Sequence, residues 1–463
     1  MLFNTAQFLL FLPLILALHY VLPKPWRRWL LLAASYYFYM CWNAKFISLL
    51  IVLTLIDYFA ALWISRTSPS NRKLALFASL AANLGFLGFF KHYNFLGGTL
   101  CQLLRLPERS FFLEIILPMG ISFHTFQSMS YVIDVYRGQQ KPIRSLVDYA
   151  LFISFFPQLV AGPIVRAREF FADFYDWRPP SAGDVQRGIL MVILGLVKKM
   201  ALADQFALIA DPYFRNVNAD PGYLTAWSAT FAFAMQIFFD FSGYTDIAIG
   251  SAKLLGFHFP ENFRRPYLAS SITDFWRRWH MSLSRWLRDY LYISLGGNRG
   301  GQLRTYRNLL LTMLLGGLWH GASWNFVIWG GFHGALLGAE RIGGVHRKED
   351  SGWTLLYPFR ALLTFLLVLL SWVFFRAATF GDAASVLGQM FSPLEGTFLL
   401  NNWQLGLVAL SCLLAVLEEK LAWFEQLSRA PMWAFASALS LILLFLELFA
   451  VTGVAIPFVY FQF

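Results

Sequence analysis

The sequence predicts an all-α polytopic membrane protein, and three observations lead to this fold class. Hydrophobic residues make up 58% of the 463 residues and charged residues only 14%, whereas soluble domains contain about 25% charged residues. The mean hydropathy is +0.54, and apolar segments close to the roughly 20 residues that a transmembrane helix needs recur along the chain. The 48 phenylalanines, 17 tryptophans and 19 tyrosines suit helices that contact lipid along their length and headgroups at their ends.

The apolar segments predicted to span the membrane are 6–22, 28–42, 46–64, 74–90, 187–210, 224–250, 305–323, 325–340, 354–376, 403–417 and 433–454. Two further segments, 111–133 and 148–165, are interrupted by prolines and glycines, which is typical of re-entrant or cavity-lining pieces. The pattern predicts roughly ten to twelve spans. No linker marks a second domain, so we expect one domain with N-terminal spans (6–90), a core carrying the candidate site (111–342) and C-terminal spans (354–463).

Basic residues predict the orientation of the helices. They concentrate between the first two spans and between the third and fourth, at Lys24, Arg27, Arg28, Arg66, Arg72 and Lys73. The positive-inside rule places both loops in the cytoplasm and the N-terminus outside. The same rule accounts for most of the net charge of +11, so no nucleic-acid partner is predicted and membrane lipids are the expected surroundings.

The ends and the cysteines add little chemistry. Residues 1–22 lack a basic region and a clear cleavage site, so we interpret them as a first spanning helix rather than a signal peptide. The cysteines, Cys41, Cys101 and Cys412, are widely spaced. Their spacing predicts neither a disulfide framework nor a metal site.

Polar and ionisable residues gather between Asp240 and His333. The first group is DFSGYTD at 240–246, whose carboxylates and hydroxyls are costly in lipid. We therefore regard Asp240, Ser242, Tyr244 and Asp246 as candidate cavity-lining residues. The alternative is a helix end at the membrane interface.

The second group, 274–290, predicts one amphipathic interfacial helix, because its apolar residues recur at helical spacing. Ser271 is its predicted N-cap, since Asp274 follows three residues later. His280 lies beside the apolar stripe of this helix. It is either a functional residue or an interfacial histidine with a hydrogen bond.

The third group is GGLWHG at 316–321, in which His320 ends a nearly continuous apolar segment. An ionisable residue inside such a segment is a functional candidate, and imidazole suits proton transfer near neutral pH. The glycine pair one turn earlier, Gly316 and Gly317, predicts a close approach by another part of the chain. His333 and His124 are weaker candidates, more simply read as hydrogen-bonded core histidines.

Arginines surround these groups, and only Asp274 and Asp289 oppose them in the local sequence. Because guanidinium forks suit phosphates, the predicted donor-binding residues are Arg277, Arg278, Arg285, Arg288 and Arg299, next to a glycine-rich loop at 296–301. Positive-inside bias alone is the alternative explanation.

With these motifs in view, the chain resembles the membrane-bound O-acyltransferase family, and within it the branch that acetylates exported polysaccharides. The resemblance covers essentially the whole chain. It is carried by LPMGISF (117–123), FPQLVAGP (156–163), DFSGYTD (240–246), DFWRRWHMSLS (274–284), GGLWHG (316–321) and PFVYFQF (457–463).

The resemblance implies a helical bundle with re-entrant segments and interfacial helices around a central funnel. It implies transfer of an acetyl group from acetyl-CoA, with no permanently bound cofactor or metal, in the inner membrane of a bacterium. A periplasmic partner would pass the group to a polysaccharide such as alginate. His320 maps onto the essential histidine of the family and His280 onto a second polar position; Trp319 precedes His320 and is expected to line the site.

Two alternatives remain at this point. A transporter or polysaccharide export protein would use the same histidines as a proton relay, although the sequence has no convincing two-half symmetry. A family member that transfers D-alanine from a carrier protein is the second alternative.

Overall fold

The computed structural model describes residues 1–107, 110–344, 355–453 and 456–459. Every regular element in these ranges is a helix, which confirms the all-α prediction. The chain divides into two compact units, Met1–Val192 with Ile247–Pro260, and Ile193–Asp246 with Glu261–Phe463. A single catalytic domain remains a prediction, because compactness does not say whether either unit works alone.

The first unit contains the N-terminal helices and the two interrupted segments. Its α-helices are Ala6–Val21, Lys24–Asn43, Ile47–Arg66, Pro69–Leu87, Tyr93–Leu104, Ile121–Tyr136, Leu146–Ser154, Phe156–Leu159 and Ala167–Tyr175. A 3-10 turn, Ala44–Phe46, and a π-helical turn, Gly88–His92, join neighbouring helices. Two further helices, Ala182–Leu196 and Tyr223–Leu254, have residues in both units.

The second unit contains the predicted site. After the π-helical segment Val197–Ala203, its α-helices are Asp204–Arg215, Ile272–Arg278, Met281–Trp286, Gln302–His320, Trp324–Ile342, Tyr357–Arg376, Phe380–Met390, Asn402–Leu421, Trp423–Ser428 and Met432–Phe449. A 3-10 turn, Pro266–Leu268, and a π-helical turn, Leu287–Tyr292, complete it. Three tryptophans, Trp279, Trp329 and Trp372, are fully buried in its core.

The predicted spans coincide with helices wherever the structure describes them; residues 354 and 454, at the edges of two spans, lie outside the described ranges. Within the described ranges, four helical stretches are long and apolar enough to cross a membrane: Lys24–Arg66, Pro69–Leu104, Tyr357–Arg376 and Met432–Phe449. Ala6–Val21 is apolar but shorter. The larger number of spans therefore stays a prediction, since several remaining helices carry many polar residues.

The interrupted segments are broken where the sequence indicates. Gly120 precedes Ile121–Tyr136 with φ +72°, and a Cβ there would lie 2.6 Å from the carbonyl oxygen of Leu159. Only glycine combines that backbone conformation with such a close approach. In the other segment, helix Leu146–Ser154 ends before the short helix Phe156–Leu159.

Glycines also fix the pair of helices that carries His320 and His333. A Cβ at Gly317 would collide with the carbonyl oxygen of Phe326, and one at Gly330 with the carbonyl oxygen of Met313. Helices Gln302–His320 and Trp324–Ile342 therefore contact each other backbone to backbone. The close approach predicted at the glycine pair is confirmed, and at Gly316 the neighbour is Leu287, whose Cδ1 lies 3.1 Å from a Cβ built there.

Candidate active site

His280 and His320 lie next to each other in the second unit. Their ring centroids are 6.4 Å apart, and their exposed fractions are 0% and 4%. The two residues are 40 positions apart in the sequence and arrive on different elements. Adjacent buried imidazoles can accept, hold and pass a proton.

His280 stands at a break in the chain, so the prediction of one helix over 274–290 is wrong. Helix Ile272–Arg278 ends, His280 adopts φ +42° and ψ +54°, and a second helix starts at Met281. The predicted cap at Ser271 is confirmed, because its hydroxyl accepts the N–H of Asp274 at 3.0 Å. The amphipathic pattern identified the helical residues but not the turn between them.

Asn262 is the reason for the break. Its backbone carbonyl accepts the N–H of Met281 at 2.9 Å. Its side-chain oxygen accepts both the N–H and the hydroxyl of Ser282, at 3.0 and 2.9 Å. Asn262 is completely buried, and it binds the first turn of the second helix in place of a continuous helical ladder. Nothing in the sequence marked it.

The same asparagine determines the proton position on His280. Nδ1 of His280 lies 3.2 Å from the side-chain oxygen of Asn262. Because that oxygen already accepts from Ser282, it is an acceptor, and Nδ1 must carry the proton. Burial lowers the pKa of His280 to about 3, so the ring is neutral at physiological pH and Nε2 carries a lone pair.

A second residue that the sequence did not indicate fixes the preceding helix. The carboxylate of Glu340, on helix Trp324–Ile342, accepts the backbone N–H groups of Ile272 and Thr273 at 2.5 and 2.9 Å. It also accepts the Thr273 hydroxyl at 2.7 Å. A carboxylate at a helix N-terminus accepts hydrogen bonds from the unpaired amides and interacts favourably with the positive end of the helix dipole.

His320 ends helix Gln302–His320 among aromatic rings. The ring centroids of Trp319, Trp329 and Phe375 lie 4.9, 5.1 and 5.3 Å from that of His320. Trp319 also lies 6.2 Å from His280. The glycine contacts of this helix with its neighbour determine where its C-terminal end, and hence the imidazole, is placed.

His333 is a hydrogen-bonded core histidine, as the simpler interpretation held. Trp276 donates to its Nδ1 at 3.3 Å, so Nε2 carries the proton and donates to the hydroxyl of Ser371 at 3.1 Å. His124 differs from that interpretation. It lies in the first unit, is 1% exposed, and neither ring nitrogen has a hydrogen-bond partner among the described residues.

Asp240 and Asp246 lie inside the 32-residue helix Tyr223–Leu254, so the alternative of a helix end is wrong. Asp240 pairs with Lys199 at 2.9 Å, and Asp246 pairs with Lys198 at 2.5 Å. Lys199 also pairs with Asp204 at 2.7 Å. The lysines reach the helix because Gly243 allows a close approach: a Cβ there would lie 2.7 Å from the carbonyl oxygen of Gly195.

The C-terminal segment meets the same carboxylate. The backbone N–H of Val459 donates to Asp240 at 2.6 Å, and the Phe458 ring lies 4.7 Å from that of Tyr244 and 6.0 Å from that of Phe241. Phe241 in turn packs 4.8 Å from His280. Ser242 is 1% exposed. Residues 460–463 of the terminal motif lie outside the described residues.

The arginines of this region have a larger number of acidic partners than the local sequence indicated. Arg278 pairs with Asp274 at 2.9 Å and with Glu419 at 3.5 Å, and Arg265 pairs with Glu419 at 2.5 Å. Arg288 binds Asp289 at 2.6 Å but keeps 60% of its side chain exposed. Arg285 is half-buried, whereas Arg277 and Arg299 are exposed. The described residues contain no group of His, Cys, Asp and Glu that could hold a metal ion.

Comparison with known proteins identifies the family of this chain. The model of the membrane-bound O-acyltransferase family matches residues 142–375. The chain is 45% identical to the probable alginate O-acetylase of Azotobacter vinelandii over 422 residues, covering 89% of this chain and 83% of the relative. It is 44% identical to the protein of the same name from Pseudomonas syringae over 412 residues, covering 88% and 76%.

A relative named for a different polymer is also similar. The chain is 39% identical to the peptidoglycan O-acetyltransferase of Helicobacter pylori over 429 residues, covering 84% of this chain and 80% of the relative. These matches extend over most of both chains and include the segments that hold His280 and His320. The chain belongs to the membrane-bound O-acyltransferase family and is a membrane acyltransferase.

Proposed function

We propose that this acyltransferase moves an acetyl group from cytoplasmic acetyl-CoA across the membrane for O-acetylation of an exported polysaccharide, with His320 as the general base. The pair of buried imidazoles, with centroids 6.4 Å apart, is the observation that carries the proposal. The family assignment favours group transfer over the alternative of a transporter. Relatives named for alginate and for peptidoglycan acetylation agree on the acetyl group but differ in the polymer.

Attack of a hydroxyl on a thioester needs a base for the hydroxyl proton. In the proposed step, His320 takes this proton while the hydroxyl oxygen forms a bond to the carbonyl carbon. Collapse of the tetrahedral intermediate breaks the carbon–sulfur bond, and the imidazolium returns its proton to the departing thiolate. The acetyl ester and coenzyme A are the products, and no other reactant is needed.

His280 is assigned a supporting role. Since its Nδ1 donates to Asn262 and the ring stays neutral, Nε2 is an acceptor rather than a donor to an oxyanion. His280 therefore orients the acceptor hydroxyl or the His320 ring. Asp240 and Asp246 are assigned as positioning residues: Asp240 holds the side chain of Lys199, and Asp246 holds that of Lys198.

The exposed arginines, Arg277, Arg288 and Arg299, are the better candidates for binding the phosphates of coenzyme A, together with Arg285. Arg278 is occupied by Asp274 and Glu419, so we assign it to holding the helix rather than the donor. A periplasmic protein that receives the acetyl group, in the inner membrane of a bacterium, is the proposed partner.

The experiment uses sealed membrane vesicles of known orientation that contain the full chain. Acetyl-labelled acetyl-CoA is added on the cytoplasmic face, and a soluble polysaccharide or the periplasmic partner is supplied on the other. Label that appears as an ester on the opposite face supports the proposal. A carrier-bound D-alanyl donor replaces acetyl-CoA in a parallel reaction.

Label that crosses as unchanged acetyl-CoA, without ester formation, would contradict the proposal and favour a transporter. Ester formation only from the D-alanyl donor would retain acyl transfer and overturn the assignment of acetyl-CoA.

A further inference from the structure

The first unit contains a cavity of about 400 Å³ beside the loop between its first two helices. Its lining includes three basic side chains, Lys24, Arg27 and Arg28, against one carboxylate, Asp148. Aromatic rings, among them that of Trp177, form part of the wall. None of these residues belongs to the proposed acyl-transfer site.

The positive charge that lines the cavity exceeds the negative charge that the protein places there. Arg28 lies 3.6 Å from Asp148, with 42% of its side chain exposed. Arg27 stacks on Trp177 with its guanidinium carbon 4.2 Å from the ring centroid, and its Nε donates to the Leu22 carbonyl at 3.0 Å. Nη1 of Arg27 and Nε of Arg28 have no hydrogen-bond partner among the described residues. With one carboxylate against three cations, an anion is the complementary ligand.

His19 gives an independent indication of a ligand. It lines the cavity and is only 1% exposed. Neither of its ring nitrogens has a hydrogen-bond partner within the described ranges. A buried polar group is normally satisfied, and an oxygen-rich anion would satisfy an imidazole N–H here.

The surroundings of the cavity have the exposed aromatic residues that are typical of the level of lipid headgroups. Large aromatic side chains near it are exposed: Trp26 is 62% exposed, Trp29 is 48% exposed and Tyr20 is 40% exposed. Exposed tryptophan and tyrosine on apolar helices mark the membrane–water interface. The basic loop indicates the cytoplasmic leaflet, which is rich in anionic lipid.

We propose that this cavity binds the phosphate-bearing headgroup of an anionic phospholipid. Basic pockets between transmembrane helices on the cytoplasmic side bind such headgroups. The phosphate lies between Lys24, Arg27 and Arg28, and the aromatic wall contacts the glycerol. A soluble phosphorylated molecule would present the same phosphate, but the exposed aromatic belt favours a ligand anchored in the bilayer.

The test measures lipid binding to the purified full chain in neutral detergent by native mass spectrometry. Phosphatidylglycerol and phosphatidylcholine of identical acyl chains are titrated separately, and we expect phosphatidylglycerol to bind at least about tenfold more tightly. The double variant Arg27→Gln/Arg28→Gln should weaken phosphatidylglycerol binding by about 25-fold, because each basic residue contributes a factor of about five. Lys24→Gln, at an exposed side chain, should weaken it by about fivefold and keeps the test valid if the double variant fails to fold.

The matched control is Arg66→Gln/Lys73→Gln, which removes the same charge from another predicted cytoplasmic loop and should leave binding unchanged. Equal binding of the two lipids, or an equal loss in the control, would overturn the proposal. Displacement of phosphatidylglycerol by inorganic phosphate or coenzyme A at millimolar concentration would assign the cavity to a soluble ligand instead.

Discussion

His320 and His333 lie in similar local sequences, yet their surroundings differ. Each follows a glycine pair and an aromatic residue and precedes another glycine. The ring of His333 is bonded at both nitrogens by neutral side chains, Trp276 and Ser371. The ring of His320 is at a helix end, surrounded by aromatic rings and 6.4 Å from His280.

The difference shows that local sequence does not decide the environment of a buried histidine. Both ring nitrogens of His333 are committed: Nδ1 accepts from Trp276, and Nε2 donates to Ser371, whose hydroxyl itself donates to the Val368 carbonyl at 2.7 Å. His333 therefore contributes to packing and not to proton transfer. His320 has a second imidazole as neighbour, and the role proposed for it as general base rests on this arrangement.

The largest expected effect comes from His320→Ala. It should lower acetyl transfer by about 10²–10⁴-fold, the range typical of a general base, while membrane insertion and thermal stability stay near wild type. The measurement is labelled acetyl transfer per folded molecule. His258→Ala, at a side chain that is 58% exposed, is the matched control, and a His320 variant within threefold of it would remove His320 from the mechanism.

The corresponding substitution at the other histidine, His333→Leu, should lower the stability of the folded protein. It leaves the indole N–H of Trp276 without its acceptor, at a cost of about 1–3 kcal/mol, whereas the Ser371 hydroxyl still donates to the Val368 carbonyl. We expect a lower melting temperature in detergent but unchanged transfer per folded molecule. A hundredfold loss of transfer without loss of stability would place His333 in the chemistry.

A smaller effect is expected at Asn262, which positions His280. Asn262→Ala should reduce transfer by about 10–100-fold, because Nδ1 loses its acceptor at a cost of about 1–3 kcal/mol. Asn262→Asp keeps the acceptor but adds a carboxylate, which raises the pKa of His280. The aspartate variant should therefore retain more activity and gain a pH dependence near neutrality; identical flat profiles in both variants would reduce Asn262 to a packing residue.

The smallest effect is on stability as a function of pH. Burial holds the pKa of His280 at about 3 in the folded protein, against about 6.5 in the unfolded chain. The unfolded chain therefore binds the extra proton, and stability falls as pH falls below 6.5. The contribution is about 1 kcal/mol between pH 6.5 and 5.5. Thermal unfolding of His280→Gln should be less sensitive to acid in this range, and an unchanged slope would show that His280 is not buried as described.

The sequence was sufficient for features set by nearby residues. The helix positions, the Ser271 cap and the close approach at Gly317 all follow from local periodicity and residue size. The break at His280 was missed because Asn262, 18 residues earlier, competes with the helical hydrogen bonds. The excess positive charge of the arginine cluster was overestimated, because Glu419 comes from a helix more than 100 residues away. No local pattern reveals such a partner.

The left-handed backbone of His280 has a consequence for how this protein can evolve. Holding a residue other than glycine at φ +42° costs about 1–2 kcal/mol of stability, and glycine would avoid this cost. Replacing His280 by glycine would remove this cost, but it would also empty the space of a fully buried ring that packs 4.8 Å from Phe241, and such large-to-small changes in a core cost about 2–5 kcal/mol. Selection for heat resistance alone should therefore retain a large side chain at position 280 in spite of its strained backbone.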